Sequence, residues 1–357
     1  MKKALIAMSG GVDSSVAALL TKEAGFSCIG CTMKLYDLPE DTSCERSCCS
    51  LRDTEDARSV AYRLGMPYYV FNFKDEFYRE VIDTFIRSYE NGKTPNPCID
   101  CNRFLKFGKL FDRARILNCD KVVTGHYARI ERHNDVYYLK KALDPSKDQS
   151  YVLYAMTQQQ LAHTLFPLGT LRKTEVREIA AAHGFATADK AESQDICFVP
   201  DGDYARAIEA YTGKRYPPGP FLSVDGRPMG THKGLIRYTV GQRKGLGISS
   251  PEPLYVCRIC PENNTVYLGG REALFARHVR VQHMNWIAGT APTAPFRCHV
   301  KLRYRQREQA ATVDPLDGET VSILFDEPQR APTPGQAAVL YQDDTVLGGG
   351  EITGARN

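Results

Sequence analysis

The first half of the chain alternates short apolar runs with amphipathic stretches, and this alternation predicts strands separated by helices. The predicted strands are Lys3–Met8, Cys28–Leu35, Tyr68–Asn72 and Lys121–Thr124. The predicted helices are Ser14–Ala24, Arg52–Leu64, Lys74–Asn91 and Arg103–Leu117. A β–α–β–α order is typical of a doubly wound parallel sheet, in which ligands bind beyond the carboxyl ends of the strands.

The pattern changes after the fourth predicted strand. A hairpin is predicted around His133-Asn134-Asp135, and helices are predicted at Gln149–Leu165, Arg172–His183 and Tyr204–Tyr211. Short alternating runs follow, which predict strands at Tyr255–Cys260, Val266–Leu268, Phe296–Arg305, Val321–Phe325 and Ala337–Tyr341. We therefore predict an α/β domain over residues 1–202, a small central β domain over 203–277 and a C-terminal β-barrel over 278–357.

Composition places the chain among ordinary globular proteins, with 43% hydrophobic and 25% charged residues. The apolar run at the start is too short for a signal peptide, and no run approaches the ~20 apolar residues of a membrane span. We therefore expect a cytoplasmic protein without membrane contact. In a reducing compartment, the twelve cysteines are not expected to form structural disulfides.

The net charge of +4 is unevenly distributed along the chain. Residues 271–307 contain eight Lys or Arg residues and a single acidic residue, Glu272. Lys301, Arg303, Arg305 and Arg307 alternate with other residues, which on a strand would align four cations on one face. Such a face suits the phosphates of a nucleic acid, and Tyr304 could stack on an unpaired base. A merely solvated strand face is the alternative interpretation.

A glycine loop, Ser9-Gly10-Gly11-Val12-Asp13-Ser14, follows the first predicted strand and opens the first helix. Glycines allow backbone N–H groups to approach a phosphate, and the helix N-terminus favours an anion. Asp13 could help to hold Mg²⁺, which prefers a carboxylate together with phosphate oxygens. The loop matches neither the Walker A motif nor the dinucleotide-binding fingerprint. An ordinary glycine turn is the alternative.

Three groups of cysteines are candidates for chemistry. Cys98 and Cys101 form a CxxC at the start of a predicted helix, where nearby Arg103 and Lys106 would favour a thiolate. Cys197 lies alone in a polar loop. No role follows from the sequence for the third group, Cys44, Cys48 and Cys49.

Six segments, taken in this order, resemble the bacterial tRNA-specific 2-thiouridylase (MnmA) family of the PP-loop ATP pyrophosphatases. They are the glycine loop, Thr94–Asn102, Gly125–Arg129, Lys147–Tyr151, Ser193–Phe198 and Leu347–Gly350. The resemblance spans nearly the whole chain. It implies an adenine nucleotide alpha hydrolase-like fold for the N-terminal domain, which would be the PP-loop ATP-binding catalytic domain.

The resemblance also implies a role for each of several residues. ATP would be held, with Mg²⁺, by Ala7, Met8, Ser9, Gly10, Gly11, Val12, Asp13, Ser14, Met33 and Gly125. Cys197 would carry a persulfide, and Cys101 would be the second catalytic thiol, ending in a disulfide with it. The residues expected to contact tRNA are Asn96, Pro97, Cys98, His126, Lys147, Asp148, Gln149, Tyr304, Arg305 and Gln342.

This family replaces an oxygen of the wobble uridine with sulfur after ATP adenylates that oxygen, releasing pyrophosphate and then AMP. The implied partners are the tRNAs for lysine, glutamate and glutamine, with a cysteine desulfurase or sulfur-relay protein as the sulfur donor. Another PP-loop ligase, similar to argininosuccinate synthetase or tRNA lysidine synthetase, is one alternative. A nucleic-acid-binding module with a relic nucleotide loop is another.

The chain departs from the family at Cys98, where many members have an aspartate thought to act as a general acid or base. Asp100 lies only two residues away. The substitution creates a possible ligand set of Cys98, Cys101 and Cys197 for a [4Fe–4S] cluster with one open iron. Zinc is a weaker option because a fourth ligand is not evident. The persulfide route and the cluster route therefore both remain open at this point.

Overall fold

A computed structural model describes residues 1–36, 51–188, 190, 196–199 and 201–357. Cys44, Cys48 and Cys49 lie outside the described residues. The strands are β1 (Lys3–Ala7), β2 (Ser27–Lys34), β3 (Tyr68–Asn72), β4 (Lys121–Val123), β5 (Arg129–His133), β6 (Val136–Lys140), β7 (Thr164–Leu165), β8 (Gly219–Ser223), β9 (Pro228–His232), β10 (Tyr255–Cys260), β11 (Thr265–Gly269), β12 (Phe275–Trp286), β13 (Phe296–Lys301), β14 (Gln309–Pro315), β15 (Val321–Arg330), β16 (Ala337–Gln342) and β17 (Thr345–Arg356). The α-helices are α1 (Val12–Glu23), α2 (Leu51–Arg63), α3 (Lys74–Phe77), α4 (Asp83–Glu90), α5 (Pro97–Asp100), α6 (Leu110–Ile116), α7 (Gln158–Ala162), α8 (Lys173–Ala182) and α9 (Tyr204–Thr212).

The N-terminal part is built on a parallel sheet in the order β3-β2-β1-β4-β7. In the central strand β1, Ala4, Leu5 and Ile6 are fully excluded from solvent. Cys28 and Cys31, three residues apart on β2, pack into different apolar clusters on opposite faces of the sheet. The predicted α/β class with a parallel sheet is confirmed.

Two long helical stretches each contain a π-helical segment. Tyr78–Ile82 separates α3 from α4, and Cys101–Lys109 separates α5 from α6. The second stretch begins at Asn96, whose side-chain oxygen accepts a hydrogen bond from the backbone N–H of Cys98 at 3.2 Å. π-Helical turns are frequently found at functional sites, and this one begins at Cys101.

The predicted helix over Gln149–Leu165 is wrong. The chain instead forms a short 3₁₀ turn at Ser150–Leu153, then α7, and then the edge strand β7. Thr157 ends the first turn and starts a new helix, because its side chain and that of Gln160 form a reciprocal capping box.

The C-terminal part is a closed antiparallel barrel in the order β12-β15-β14-β13-β16-β17, in which β17 also pairs with β12. Its interior is filled by branched and aromatic side chains such as Val281, Ile323 and Phe325. The hairpin β5–β6 extends this sheet through the pairing of Thr345 with Lys140. The predicted barrel is therefore confirmed, and the N-terminal part contributes two strands to the same sheet.

A smaller sheet, β10-β11-β8-β9, lies between these parts in the sequence and packs around Phe221, Tyr238 and Val256. The domain boundaries at residues 202 and 277 stay predictions. Within the described part of the chain, no helix is long and apolar enough to cross a membrane.

Candidate active site at the glycine loop

The glycine loop is packed so closely that neither Gly10 within it nor Gly125 beside it could carry a side chain without a clash. Gly10 has a φ of +70°, and a Cβ atom there would lie 2.2 Å from the backbone oxygen of Asp53. A Cβ atom at Gly125, at the end of β4, would lie 2.9 Å from backbone atoms of Asp13 and Ser14. The loop therefore presents backbone N–H groups at the start of α1, which is the arrangement that binds phosphate groups.

The hydroxyl groups of the loop hold it in this form. The backbone N–H of Ser9 donates to Oγ of Ser14 at 3.2 Å, and that hydroxyl donates to the carbonyl of Gly11 at 3.0 Å. Met8 and Val12 are almost fully buried in the sheet core. These two side chains therefore support the loop from below, and only their backbones can face a nucleotide.

Asp13 is held by two side chains from distant parts of the sequence. Lys173 Nζ lies 2.7 and 2.8 Å from its two carboxylate oxygens, and the Tyr127 hydroxyl donates to Oδ1 at 2.7 Å. Lys173 is the first residue of α8 and is only 8% exposed. A carboxylate beside a phosphate cradle fits a Mg²⁺–nucleotide complex, which needs few protein oxygens.

The loop that carries Lys147, Asp148 and Gln149, which were expected to contact tRNA and which we call the substrate loop, connects to the same carboxylate. The side-chain oxygen of Gln149 accepts a hydrogen bond from the Tyr127 backbone N–H at 3.0 Å. Asp148 faces inward, because its oxygens accept hydrogen bonds from the Ala142 N–H and from the backbone and hydroxyl of Ser150. The Asp148 side chain therefore shapes the loop, and Lys147 and Gln149 remain partly exposed beside it.

A lysine from the segment that leads to Cys197 is anchored on the glycine loop. Lys190 Nζ donates to the Gly10 carbonyl at 3.0 Å and to carboxylate oxygens of Asp53 and Asp56 at 2.5 and 2.7 Å. Lys190 is thus tied directly to the conformation of the glycine loop.

The two predicted catalytic cysteines border the same apolar cluster. Cys101 and Cys197 are both partly exposed, and both pack against it together with Ala7 and Met33. The Tyr36 hydroxyl donates to the Cys197 carbonyl at 2.6 Å, which fixes the backbone at that position. The glycine-loop strand and both thiols are therefore assembled around one core.

The described residues do not assemble a three-cysteine metal site. No group of three His, Cys, Asp or Glu side chains within them is close enough together to hold a metal ion. Cys98, Cys101 and Cys197 all belong to the described residues, and Cys98 is exposed whereas the other two are partly buried. A [4Fe–4S] cluster does not fit this arrangement.

Asp100, between the two cysteines of the CxxC, has unusual electrostatics. Burial raises the pKa of its carboxyl to about 7; Glu351 and Glu80 add to the increase, and Arg103 opposes it. Asp100 is therefore a carboxyl group that can exchange a proton near neutral pH.

His126 is buried next to the glycine loop and is held neutral. Burial lowers its pKa well below the ordinary value, and the Lys106 ammonium lowers it further. Lys106 Nζ lies 3.4 Å from Nε2, so in the neutral ring Nε2 accepts a hydrogen bond from the ammonium and Nδ1–H donates to Thr124 Oγ1 at 2.7 Å. With only 7% of His126 exposed, a direct tRNA contact at this position requires a local opening.

The barrel places its cations differently from the prediction. β13 ends at Lys301 and β14 begins at Gln309, so residues 302–308 lie outside any strand and the expected strand face with four cations is wrong. The Arg303 guanidinium donates to the Ala331 carbonyl and to Thr333 Oγ1 at 3.1 and 2.9 Å, which anchors the turn. Tyr304 is 38% exposed, and Arg305 and Gln342 are exposed as well.

Comparison with known proteins identifies the family. Residues 2–201, 206–270 and 276–352 match models described as a tRNA methyl transferase HUP domain, a tRNA methyl transferase PRC-barrel domain and an aminomethyltransferase beta-barrel domain. The tRNA-specific 2-thiouridylase MnmA of Moorella thermoacetica is 52% identical, covering 98% of each chain. That of Symbiobacterium thermophilum is 50% identical, covering 100% of this chain and 93% of its own.

The chain belongs to the tRNA-specific 2-thiouridylase family. The resemblance noted in the sequence is thereby confirmed. Among solved structures, an NMN synthetase from Francisella tularensis matches with a TM-score of 0.35 and 17% identity, covering 60% of this chain and 79% of its own.

Three residues of the site were missed by reasoning from the sequence. Lys173 and Lys190 reach the glycine loop from more than 150 residues away, and nothing in their local sequence points to it. Tyr127 lies two residues after Gly125, within a segment that carries the 2-thiouridylase resemblance, so its proximity to the loop could have been inferred.

Proposed function

We propose that this protein uses ATP to convert the wobble uridine of tRNA to 2-thiouridine, releasing AMP and pyrophosphate. The observation that carries the proposal is the common cluster that Cys101 and Cys197 share with Ala7 and Met33, beside a phosphate-binding loop. A nucleotide-activating loop and two partly exposed thiols are the parts that such a reaction requires. The proposed site of action is the cytoplasm, with the tRNAs for lysine, glutamate and glutamine as substrates.

In the first step, the uracil O2 attacks the α-phosphorus of ATP, forming the O2–P bond and releasing pyrophosphate. The backbone N–H groups of residues 9–14 would bind the phosphates, Asp13 would hold Mg²⁺, and the neighbouring Lys173 would neutralise charge on the leaving pyrophosphate. Because Gly125 has no side chain, the backbone after β4 can pack directly against the backbone of Asp13 and Ser14. A wobble base must leave its stack to reach this site, at a cost of a few kcal/mol.

In the second step, sulfur replaces the activated oxygen. The terminal sulfur of a Cys197 persulfide attacks C2, and AMP leaves with the original oxygen. The Cys101 thiolate then attacks Sγ of Cys197, so that the thiolated base departs and a Cys101–Cys197 disulfide forms. A dithiol reductant restores the two thiols, and a cysteine desulfurase or relay protein supplies the next sulfur.

The proposed tRNA contacts belong to two parts of the chain. Asn96, Pro97 and Cys98 begin the helix that carries Cys101, and Lys147 and Gln149 belong to the loop beside Asp13. Tyr304, Arg305 and Gln342 are exposed on the barrel. His126 and the side chain of Asp148 are more buried, so their proposed contribution is to shape the surface.

The cluster route is a second candidate for sulfur delivery, favoured by the presence of Cys98 in place of the family's aspartate. It requires Cys98, Cys101 and Cys197 to move into one ligand set, which the described arrangement does not provide. Iron content after anaerobic reconstitution distinguishes the two routes, since the persulfide route needs no iron.

The decisive experiment is 2-thiouridine formation on unmodified tRNA with ATP, Mg²⁺ and a persulfide donor, measured by mass spectrometry of the digested tRNA. Cys101→Ser and Cys197→Ser are each expected to lower product formation by about a thousandfold, because the nucleophile is lost. Cys260→Ser, at the end of β10 in the central sheet, is the matched control and should retain activity.

Equal activity in all three variants would exclude cysteine-based sulfur transfer. Activity that depends on ATP but needs no thiol would favour a PP-loop ligase of the argininosuccinate synthetase or tRNA lysidine synthetase type. If tRNA does not stimulate ATP consumption at all, a nucleic-acid-binding module with a relic loop becomes the better description.

A further inference from the structure

A chain of hydrogen bonds joins the substrate loop to the Asp13 carboxylate of the glycine loop. The Gln149 side-chain oxygen accepts from the Tyr127 N–H, and the Tyr127 hydroxyl donates to Asp13 Oδ1. Tyr127 is only 2% exposed, so its ring cannot move without disturbing the sheet core around it. A displacement of Gln149 is therefore transmitted to Asp13 through one rigid side chain.

Asp13 is occupied in this arrangement. Its Oδ1 accepts from both Tyr127 and Lys173, and its Oδ2 lies 2.8 Å from Lys173 Nζ. A Mg²⁺–phosphate group needs a carboxylate oxygen at close range, with near-ideal octahedral geometry. Asp13 can offer Oδ1 to it only after a donor has been displaced.

Three lysines surround the loop that holds the other end of the chain: Lys147 lies within it, and Lys141 and Lys301 beside it are paired with Glu308 and Asp148. Lys141 Nζ and Lys301 Nζ lie 4.8 and 5.5 Å from the ring centroid of Tyr341, and Lys301 Nζ is 3.8 Å from Asp148 Oδ2. Lys147 and Gln149 are partly exposed at this surface. A polyanion bound by Lys147 would reach Gln149, whose side-chain oxygen accepts the hydrogen bond from the Tyr127 N–H.

We propose that the Gln149–Tyr127–Asp13 chain keeps Asp13 closed to the metal–nucleotide complex until tRNA engages Gln149. The Gln149 backbone N–H also donates to the Tyr127 carbonyl at 2.9 Å, so a shift of Gln149 moves the Tyr127 backbone. tRNA draws Gln149 outward, the rigid Tyr127 side chain moves with its backbone, its hydroxyl withdraws from Asp13, and Oδ1 becomes available. Tyr127 is thus a positioning residue that makes ATP activation depend on tRNA. The inference rests on the proposed function, since it takes tRNA as the ligand of the loop.

The linkage is reciprocal, so tRNA must tighten the binding of Mg²⁺ with α,β-methylene-ATP, an analogue that cannot be cleaved between the α and β phosphates. We expect tRNA to lower the Kd of this analogue about 5-fold to 150-fold in the parent protein, the usual range of such coupling. In Tyr127→Phe the Kd measured without tRNA should already fall towards the tRNA-bound value. General damage to the site would weaken binding, so tighter binding separates the two causes.

Tyr238→Phe is the matched control, because it removes a buried hydroxyl that contacts Lys233 in the central part of the chain. It should show the same tRNA effect as the parent protein. Gln149→Leu breaks the chain at its other end and should also tighten the analogue without tRNA. If Tyr127→Phe does not fold, Gln149→Leu tests the inference in its place.

A parent protein that makes 2-thiouridine but binds the analogue equally with and without tRNA would overturn the inference and leave the proposed function standing. An undiminished tRNA effect in both Tyr127→Phe and Gln149→Leu would overturn it as well. A parent protein that makes no 2-thiouridine from any sulfur donor would instead contradict the proposed function.

Discussion

At the scale of single residues, the proton on Asp100 is the most accessible property to test. Its pKa of about 7 lies above the value of 3.8 that it has when unfolded, so the folded protein binds this proton more tightly. The free energy of unfolding should therefore decrease as pH rises from about 4 to about 7, and level off above that. Asp100→Asn should remove this slope and stabilise the protein above pH 7 by on the order of 1–3 kcal/mol.

Urea unfolding at pH 5 and pH 8 measures this effect directly. Asp135→Asn serves as the control, because the Asp135 side chain is 85% exposed in a surface hairpin. A parent protein and an Asp100→Asn variant with the same pH slope would show that Asp100 titrates normally. At pH 7 the Asp100 carboxyl, which precedes Cys101 in the sequence, is expected to be about half-protonated.

At the scale of elements, the contact between the end of β4 and the start of α1 decides whether the phosphate loop can form. Gly125→Ala would bring a methyl group within 2.9 Å of the Asp13 and Ser14 backbone, and backbone cannot move aside as a flexible side chain can. We expect the KM for ATP to rise about tenfold or more, because phosphate donors 1 Å out of place lose most of their effect.

Gly270→Ala is the control for this substitution, since a Cβ atom there meets nothing within 4 Å. Circular dichroism should show both variants folded. Unchanged ATP kinetics in Gly125→Ala would mean that the loop tolerates a shift of its backbone, and that the nucleotide does not depend on the close packing at this point.

The same scale shows what could be predicted from the sequence. Buried parallel strands such as β1 are continuous apolar runs, so their positions follow from the pattern alone. The stretch from Gln149 to Leu165 misled because its apolar spacing continues across the capping box at Thr157. The turn after Lys301 was missed for a related reason, since alternation persists where Arg303 bends to the Ala331 carbonyl.

The candidate site divides in a similar way. The glycine loop is contiguous in sequence, so its function could be predicted from local residues. The Lys173–Asp13 pair spans 160 residues, and it exists only because α8 begins beside α1 in the folded chain. Electrostatic properties such as those of Asp100 depend on burial in the folded chain and on the charge of Glu351 on β17, which local sequence does not encode.

At the scale of the whole molecule, the N-terminal part and the barrel share one apolar core. The cluster around Phe107, Tyr151 and Leu139 also contains Val339 and Tyr341 of β16. The Tyr151 hydroxyl donates to the Ala337 carbonyl at 2.9 Å, which adds a buried polar contact across the junction. Neither part would retain this core if the other unfolded.

We therefore expect the two parts to unfold in one cooperative transition. The single tryptophan, Trp286, lies on β12 and reports on the barrel, whereas the described α-helices all lie before residue 213 and dominate far-ultraviolet circular dichroism. Urea curves from the two signals should coincide.

Val339→Ala, at a fully buried position, should lower the free energy of unfolding by about 2 kcal/mol and shift both curves equally. If only the tryptophan curve moved, the barrel would unfold by itself, and the substrate loop and barrel surface could not form one rigid face for the proposed tRNA contacts.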